Sequence, residues 1–460
     1  MKLKTYCNPL SIPNVGGGMF TKTNKNHYRE IADPDVLYDN GKWYMVASCG
    51  KIYSSEDGIR WQFHNVDCPA FDAYAPCICK YRGKYYVTSN DSKLYVADTP
   101  LGTYRFLGNF RIPPHFNKIP GGEYIDIYPD PDLFADSDNG MYIYWGCGTE
   151  IYGSKLSDDD LTLLETNPKT LIRFNPDNAW ERCGAYNQNK NKSWTEGACM
   201  YRKNSKYYLL YSSAATQFPT YAIGVYTADS PLGDFVEQTN NPLVRGADGY
   251  VKGSGHGCVA DGPNDSTWVF YTSVLGGYHM YERRIGMDRV YFDSLGDMRC
   301  NGPSGRPKNA PLTVENECDW LPLSAHAEVV TSSEKEGREA IYAVDENTKS
   351  WWQPTDDDAA PCLSVNLNGV YNVKAVRIVW REAGLNYCTG VLPKPIRYTI
   401  EGKLNGETVV LYDGTKNDSD LCCDYKEFPA KLCTEVVVKF EQPKEYKLGI
   451  IDFTVFGNME

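Results

Sequence analysis

The sequence has little that would hold the protein on nucleic acid or in a membrane. Its 47 lysines and arginines are outnumbered by 59 aspartates and glutamates, which leaves a net charge of −12. A surface of this sign repels the phosphates of nucleic acid and of anionic lipid. The sequence also lacks an apolar run of about 18 residues, the length that spans a bilayer. We therefore expect neither a nucleic-acid partner nor a membrane.

The sequence also lacks the cysteine spacing of a common zinc site and an apolar leader segment. None of its 16 cysteines forms a CxxC pair, so the usual ligand spacing of tetrahedral zinc is missing. No apolar segment follows the charged residues Lys2 and Lys4. We expect most cysteines to be buried free thiols and the protein to be cytoplasmic. Secretion after removal of a leader is the alternative.

Aromatic residues and turn formers are abundant, with 35 tyrosines, 10 tryptophans, 40 glycines and 27 prolines. This composition predicts many short strands joined by tight turns. One aromatic strand pattern, preceded each time by a turn signal, occurs at 42–46, 84–87, 141–145, 206–210 and 267–271. A spacing of roughly 40 to 65 residues is typical of propeller blades. The repeat therefore predicts an all-β chain that begins with a five-bladed β-propeller, and unrelated hairpins in a β-sandwich are the alternative.

The repeat also predicts that certain side chains converge, because the first strand of each blade lines the central channel of a propeller. The positions about ten residues before the aromatic strands hold Asp33, Pro76, Asp130, Glu196 and His256. Neighbouring carboxylates push their pKa values apart, so such a cluster is typical of a functional site. A protonated acid and an ionised base facing each other across a pocket are what glycoside hydrolysis requires.

The motifs around these acids resemble glycoside hydrolase family 43 over roughly residues 7–312. The resemblance rests on the order and spacing of the segments 32–36, 74–76, 129–134, 194–197, 221–225, 230–233 and 255–258. It implies an inverting enzyme that removes arabinofuranosyl, xylosyl or related sugars. By this resemblance Asp33 is the general base, Glu196 is the general acid, and Asp130 orients Glu196 and tunes its pKa.

The resemblance implies further residues that contact the substrate. His256 corresponds to a channel histidine that can hold an ion or an ordered water on the axis. Arg283 stands where the family carries an arginine to the sugar hydroxyls, and Arg284 competes for this role because strand alternation puts only one of the two in the pocket. Three aromatic residues are candidates for stacking on sugar faces, with core packing as the alternative: Tyr74, Trp194 and Tyr221.

A composition shift at Pro303, Pro307 and Pro311 predicts a domain boundary, with the propeller at residues 1–312 and a second β domain at 319–460. The segments 331–334, 343–352, 373–380 and 449–457 of this second domain resemble the discoidin, or coagulation factor V/VIII type C, family. The resemblance implies a jelly-roll β-sandwich that serves as a carbohydrate-binding module. A purely structural role against the propeller is the alternative.

The discoidin resemblance also implies a structural calcium ion. Asp345 and Asp452 fall where its ligands are expected, and carboxylate oxygens suit this cation. Glu346 stands where the family usually has a glycine, so the loop departs from the family pattern. Catalysis itself is expected to need no cofactor.

Together these features predict an exo-acting, inverting glycoside hydrolase that removes terminal α-L-arabinofuranosyl residues from oligosaccharides or polysaccharide side chains. A β-xylosidase and a β-galactofuranosidase are the alternatives within the family, because the catalytic residues do not distinguish the sugar. A non-catalytic carbohydrate-binding protein is the alternative outside the enzyme class.

Overall fold

The computed structural model describes residues 4–18, 28–48, 50–116, 127, 129–136, 140–246, 249–277 and 279–459. Three short strands come first: β1 (Thr5–Tyr6), β2 (Gly16–Gly17) and β3 (Arg29–Glu30). Strands β2 and β3 pair with each other, and β3 leads directly into the first of five antiparallel sheets.

The five sheets confirm the predicted five-bladed propeller, and each is built from consecutive strands. Blade 1 contains β4 (Asp35–Asp39), β5 (Lys42–Ala47), β6 (Lys51–Ser55) and β7 (Gln62–His64). Blade 2 contains β8 (Cys77–Tyr81), β9 (Lys84–Thr88), β10 (Lys93–Ala97) and β11 (Arg105–Asn109). Blade 3 contains β12 (Asp132–Asp136), β13 (Gly140–Trp145), β14 (Glu150–Lys155) and β15 (Lys169–Arg173).

The last two blades follow the same order. Blade 4 contains β16 (Glu196–Lys203), β17 (Lys206–Ser213), β18 (Ala222–Ala228), β19 (Val236–Glu237) and the short β20 (Val244–Arg245), which pairs with β18. Blade 5 contains β21 (Gly255–Asp261), β22 (Thr267–Val274), β23 (Arg283–Phe292) and β24 (Met298–Cys300). The first strands of neighbouring blades contact one another in a closed ring around the axis, as predicted.

The aromatic repeat reflects packing between blades. The second strand of each blade carries the repeat, and its side chains are buried on both faces because adjacent sheets pack face to face. Trp43, Trp145 and Phe270 are fully buried in this way. The Trp43 and Phe270 rings meet edge to face between blades 1 and 5, with centroids 5.6 Å apart.

A ring of five inward side chains, which we call the axial ring, joins all five blades. Its members are Asp35, Cys77, Asp132, Cys199 and Cys258. Each accepts a hydrogen bond from a backbone N–H of the next blade; the donors, in the same order, are Ile78, Leu133, Met200, Val259 and Val36. The last of these bonds joins blade 5 to blade 1. Since every blade is built from consecutive strands, the axial ring helps to close the propeller.

The C-terminal part of the chain is rich in sheet, as predicted. Strand β25 (Lys308–Asn309) pairs with β1, and the remaining strands form one seven-stranded sheet: β26 (Leu321–Pro322), β27 (Glu328–Thr331), β28 (Cys362–Ala383), β29 (Tyr398–Leu404), β30 (Glu407–Asp413), β31 (Cys423–Phe440) and β32 (Lys447–Met459). The long β28 changes register with β31 at two places, which lets the sheet bend around a single apolar core. The discoidin identity of this domain stays a prediction.

The C-terminal sheet packs directly against the propeller and the N-terminal segment. An apolar cluster joins Tyr250 and Leu275 of the propeller to Val379, Cys423 and Ile451. The buried Arg377 of β28 also donates hydrogen bonds across this contact, to the backbone carbonyls of Asn8 and Gly305. The two parts therefore share a buried interface.

Helical structure in the described ranges is limited to four 3₁₀ turns: Pro69–Asp72, Ala179–Glu181, Pro263–Asp265 and Ala340–Ala343. Within the same ranges no helix has the length and apolar character needed to cross a membrane. All 15 cysteines that the structure describes are free thiols, and most are buried, as predicted.

Candidate active site

The structure brings the four predicted channel residues together at one end of the propeller axis. Asp33, Asp130 and Glu196 are each less than a tenth exposed. His256 Nδ1 lies 3.5 Å from Asp33 Oδ1 and 3.8 Å from Asp130 Oδ2. Carboxylate oxygens of Asp130 and Glu196 lie within 4.8 Å of each other and of the sulfur of Cys147. Three acids, a histidine and a thiol thus share one site.

In every blade a left-handed backbone conformation occurs two residues before the member of the axial ring. Asp33, Asp130 and His256 have φ of 53°, 54° and 37°. In blades 2 and 4 this conformation falls on Ala75 and Gly197, so the predicted equivalence of Pro76 and Glu196 is wrong by one residue. In blades 4 and 5 the left-handed residue lies in a bulge of the inner strand, between Glu196 and Cys199 and between Gly255 and Gly257.

Glycine is required at position 197 of this bulge. Its φ is 61°, and a Cβ atom there would lie 2.9 Å from Cγ of His256. The absence of a side chain lets the histidine ring lie against the strand that carries Glu196.

Polar side chains of the preceding blade hold the inward residues of blades 1, 2, 3 and 5. The hydroxyl of Thr272 accepts the N–H of Asp33 at 2.8 Å, Asn90 Oδ1 accepts that of Asp130 at 2.6 Å, and Ser212 Oγ accepts that of His256 at 2.7 Å. Ser48 holds Ala75 in the same way. The sequence analysis missed these residues, although a small polar residue near the end of the aromatic strand in blades 1, 2, 4 and 5 is a repeat-level signal that could have found them.

Asp33 is held in its ionised form. Ser48 Oγ donates to Asp33 Oδ2 at 2.6 Å, and Arg283 Nη1 donates to Asp33 Oδ1 at 3.0 Å. Burial by itself would raise the pKa of Asp33, but the positive charge of Arg283 and the neighbouring His256 outweigh it and hold the pKa below its usual value. An ionised carboxylate at neutral pH can accept a proton from water.

Glu196 has the opposite electrostatic environment. Burial, and then the negative charge of Asp130, raise the pKa of Glu196 to about 7. The hydroxyl of Tyr221 donates to Oε1 at 2.7 Å and the thiol of Cys147 donates to Oε2 at 3.0 Å. These two donors fix the orientation of the carboxyl group, which can carry a proton into the neutral range. Cys147 was missed because no sequence motif marks it.

A buried arginine forms one wall of the site. Arg283 donates from Nε and Nη2 to Glu30 Oε1 at 2.9 and 2.6 Å, and Tyr74 donates to Glu30 Oε2 at 3.1 Å. Arg284 points the other way and donates to the backbone carbonyl of Arg29. Strand alternation therefore puts Arg283 in the pocket and excludes Arg284. Glu30, which no motif marks, was missed by the sequence analysis.

The three predicted stacking residues differ in accessibility. Tyr221 is fully buried and hydrogen-bonded to Glu196, so it offers no ring face to a sugar and its predicted stacking role does not fit. Tyr74 is half-buried, with the Arg283 guanidinium 5.6 Å from its ring centre. Trp194 is half-buried, with Lys192 Nζ 4.1 Å from its ring centre. Stacking on Tyr74 and Trp194 stays a prediction.

The predicted calcium ligands have other partners. The carboxylate of Asp452 accepts a hydrogen bond from Nε of Arg377 at 2.8 Å and one from Thr454. Asp345 accepts from the backbone N–H of Asn347 and from the hydroxyl of Ser350. A calcium site on these two aspartates stays a prediction, and the ion pair of Asp452 with Arg377 counts against it because a guanidinium repels a second cation.

A small cavity of about 20 Å³ lies on the axis between the acids and the axial ring. It has room for a single water molecule or ion and is too small for a sugar. His256 is one of its lining residues, and the channel ion predicted there stays a prediction.

Comparison with known proteins agrees with this geometry. The model of the family described as glycosyl hydrolases family 43 matches residues 29–296, which is more than half of the chain. A xylosidase/arabinosidase of Butyrivibrio fibrisolvens is 27% identical over 338 residues, covering 66% of this chain and 60% of that protein. A beta-D-galactofuranosidase of Aspergillus niger is 23% identical over 170 residues, covering 37% of this chain and 44% of that protein.

The chain thus spans less than two thirds of the length of these two curated relatives. Among solved structures, a thermostable family-43 glycoside hydrolase is 25% identical with a TM-score of 0.52, covering 67% of this chain and 100% of that one. The family match extends into every blade and includes all three acids on the axis. The chain belongs to glycosyl hydrolases family 43.

Proposed function

We propose that this glycoside hydrolase is an exo-acting, inverting enzyme that removes terminal α-L-arabinofuranosyl residues from oligosaccharides or polysaccharide side chains. The observation that carries the mechanism is the contrast between Asp33 and Glu196. One carboxyl group is held ionised by Arg283, and the other is held protonated by burial and by Asp130. Two acids whose surroundings push their pKa values apart are the pair that hydrolysis of a glycosidic bond requires.

In this mechanism Asp33 takes a proton from a water molecule, which attacks the anomeric carbon of the sugar. Glu196 gives its proton to the glycosidic oxygen as the bond to the leaving group breaks. Asp130 stays close to Glu196, and its charge favours the protonated form of the acid before each turnover. Inversion requires about 6.5–9.5 Å between the two carboxyl groups, because the water must fit between the base and the sugar.

The choice of sugar rests on the named relatives and is the finer part of the proposal. One relative carries both xylosidase and arabinosidase in its name, and another is named for galactofuranose. A β-xylosidase or a β-galactofuranosidase with the same acids is therefore the second candidate. The discriminating contacts are hydroxyl partners in the pocket, such as Arg283 and Thr216, rather than the acids.

The proposal is tested by the release of aryl alcohol from α-L-arabinofuranoside, β-D-xyloside and β-D-galactofuranoside. We expect the first of these to be cleaved fastest. Asp33→Asn should lose at least about a hundredfold in kcat, since the base contributes this much in comparable enzymes. Asp98→Asn is the matched control, because it makes the same change on an exposed aspartate.

Proton NMR of the first sugar released shows its anomeric configuration and tests inversion. Retention of configuration would contradict the assignment of Asp33 as a base. Binding of glycans without cleavage of any member of the panel would favour the non-catalytic alternative. The cytoplasmic location stays a prediction.

A further inference from the structure

One wall of the active site is a single strand layer thick. Strands β3 and β23 lie side by side there, joined by a hydrogen bond from Ile31 N–H to the carbonyl of Arg283. Each strand contributes two consecutive residues with side chains on opposite faces. Glu30 and Arg283 face the pocket, while Arg29 and Arg284 face the C-terminal sheet. The back of the catalytic wall is therefore the interface between the two parts of the chain.

Arg29 is the main polar contact across this interface. Its side chain is 1% exposed. Nε and Nη2 donate to the two carboxylate oxygens of Glu382 at 2.7 and 2.6 Å, a bidentate geometry. Nη1 and Nη2 also donate to Asp420 at 2.9 and 2.5 Å. Two carboxylates of the C-terminal domain thus fix both the position and the orientation of one guanidinium from the catalytic wall.

A continuous series of bonds and contacts links Arg29 to Asp33, the proposed general base. Arg29 is bonded covalently to Glu30, and Glu30 receives two hydrogen bonds from Arg283. Arg283 then donates to Asp33. Arg284 braces the same strand from behind, since its Nη1 donates to the backbone carbonyl of Arg29 at 2.8 Å. A shift of Arg29 would therefore move Glu30 and, through Arg283, the carboxylate of Asp33.

The energetic cost of displacing Arg29 favours a rigid contact between Arg29 and its two carboxylate partners. A buried arginine with two carboxylate partners tolerates displacement poorly, because each lost contact leaves a charge without water and without a partner. The wall has no independent layer behind it, so the C-terminal domain supplies the second layer that an active site needs for precise geometry.

We propose that Arg29 is a positioning residue through which Glu382 and Asp420 of the C-terminal domain hold the geometry of Asp33. The inference rests on the proposed function of Asp33. It assigns the C-terminal domain a role in catalysis itself, as part of the active-site scaffold, whether or not this domain also binds glycan.

The test uses the full chain and the aryl glycoside that it cleaves best. Arg29→Lys keeps the charge but loses the bidentate contact, and Glu382→Gln keeps the shape but loses the charge. Each should lower kcat by between about tenfold and a hundredfold, the loss typical of a small misplacement of a catalytic group. The acid limb of the pH profile should also move to higher pH. A less firmly held Arg283 stabilises the ionised form of Asp33 less well, and the pKa of Asp33 then rises.

That limb reports on the groups around Asp33, which are Arg283, His256, Asp130, Tyr221, Tyr281 and the hydroxyls of Ser48 and Thr272. Only the Arg283 contact is changed by substitutions at Arg29 or Glu382. A general loss of stability would reduce the amount of active enzyme but would leave the position of the limb unchanged.

Arg377→Lys is the matched control, since Arg377 is a buried arginine of the same interface that contacts Asn8 and Gly305 instead of the catalytic wall. We expect this variant to lose stability without a change in kcat per folded molecule or in the acid limb. Where Arg29→Lys fails to fold, Glu382→Gln carries the test.

Equal kcat and an unmoved acid limb in Glu382→Gln, measured per folded molecule, would overturn the proposal while leaving the function of the enzyme intact. Failure of the wild-type chain to cleave any glycoside would instead count against the proposed function and this inference together.

Discussion

At the scale of single residues, two carboxyl groups acquire opposite properties from their contacts. Asp33 receives hydrogen bonds from an arginine and a serine, which stabilise its charge. Glu196 is buried beside another carboxylate, Asp130, which destabilises its charge. The same mechanism operates in many hydrolases, where the surroundings rather than the residue type decide which group is the acid.

The raised pKa of Glu196 predicts the alkaline limb of the activity profile. The acid works only while it is protonated, so activity should fall as the pH rises through about 7. The lowered pKa of Asp33 places the acid limb below the usual range of an aspartate, because the base works only when ionised. Measurement of kcat/KM from pH 3 to 9 checks both limbs, and activity that keeps rising above pH 8 would contradict the role of Glu196.

Cys147 should influence the same limb. Burial and the charge of Glu196 raise the pKa of the Cys147 thiol, so it stays protonated and donates to Glu196. This hydrogen bond stabilises the ionised form of the acid, and its loss in Cys147→Ala should move the alkaline limb to higher pH. Cys388→Ala, which removes an exposed thiol, is the control. If the pH profile of Cys147→Ala were identical to that of Cys388→Ala, the Cys147 thiol would not act on Glu196.

Replacement of the acid itself gives a leaving-group effect. Glu196→Gln should lower kcat on substrates with poor leaving groups by at least about a hundredfold, because the departing oxygen then receives no proton. Activated aryl groups need little protonation and should lose much less. A comparison of two aryl leaving groups of different acidity, with sugar binding measured by calorimetry, checks this. A uniform loss across leaving groups would contradict the assignment.

At the scale of the elements, the first strand of each blade has two roles. The residues at the start of these strands carry the three acids and His256, and residues two or three positions later form the axial ring that joins the blades. Glu196 lies one residue before the left-handed position of its blade, whereas Asp33 and Asp130 occupy that position in theirs. At this position Glu196 accepts hydrogen bonds from Tyr221 and Cys147.

The axial ring predicts a pH-dependent stability. Burial, and then the charge of Asp35, raise the pKa of Asp132 to about 8. A carboxyl group whose pKa is raised in the folded state stabilises the fold while it is protonated there, and this contribution is lost progressively as the pH rises from the usual aspartate pKa of about 4 to about 8. Asp132→Asn stays neutral and can still accept the N–H of Met200. Between pH 5 and 9 its free energy of unfolding should therefore fall less than that of the wild type, by about 1.4 kcal/mol or more.

Urea unfolding at several pH values measures this difference. Asp67→Asn, on an exposed loop, is the control and should follow the wild type. A parallel pH dependence of Asp132→Asn and the wild type would contradict the raised pKa.

At the scale of the whole molecule, the propeller and the C-terminal sheet share buried charges and an apolar cluster. Arg29 crosses the interface to Glu382 and Asp420, and Arg377 crosses it in the other direction. Separation of the two parts would remove the partners of these charged groups, or would expose the groups and their apolar neighbours to solvent. The two parts are therefore expected to stabilise each other.

This sharing predicts a single cooperative unfolding transition. Calorimetry should show one peak, and urea curves followed by tryptophan fluorescence and by circular dichroism should coincide. Glu382→Gln should lower the midpoint while keeping one transition. Two well-resolved transitions in the wild type would contradict the shared interface.

Much of the fold and the catalytic core could be predicted from the sequence because both depend on local, repeated patterns. Alternating aromatic strands and turn signals recur in every blade, and the motifs around Asp33, Asp130 and Glu196 are contiguous in the chain. Strand alternation predicts that only one of Arg283 and Arg284 faces the pocket, but it does not predict which. The tertiary structure was needed to identify Arg283. The burial of Tyr221 likewise depends on neighbours that lie far away in the sequence.

The sequence by itself predicted an all-β chain of glycoside hydrolase family 43 with three acids on a propeller axis. Only the tertiary structure decided how those acids are held: the one-residue offset at Gly197, the donors Cys147 and Tyr221, and the contact from Arg29 to the C-terminal sheet. The physical reason is that strand propensity and motif spacing act between near neighbours in the chain. Hydrogen bonds and charges act between groups brought together by folding, and neither their partners nor their strength can be read from spacing.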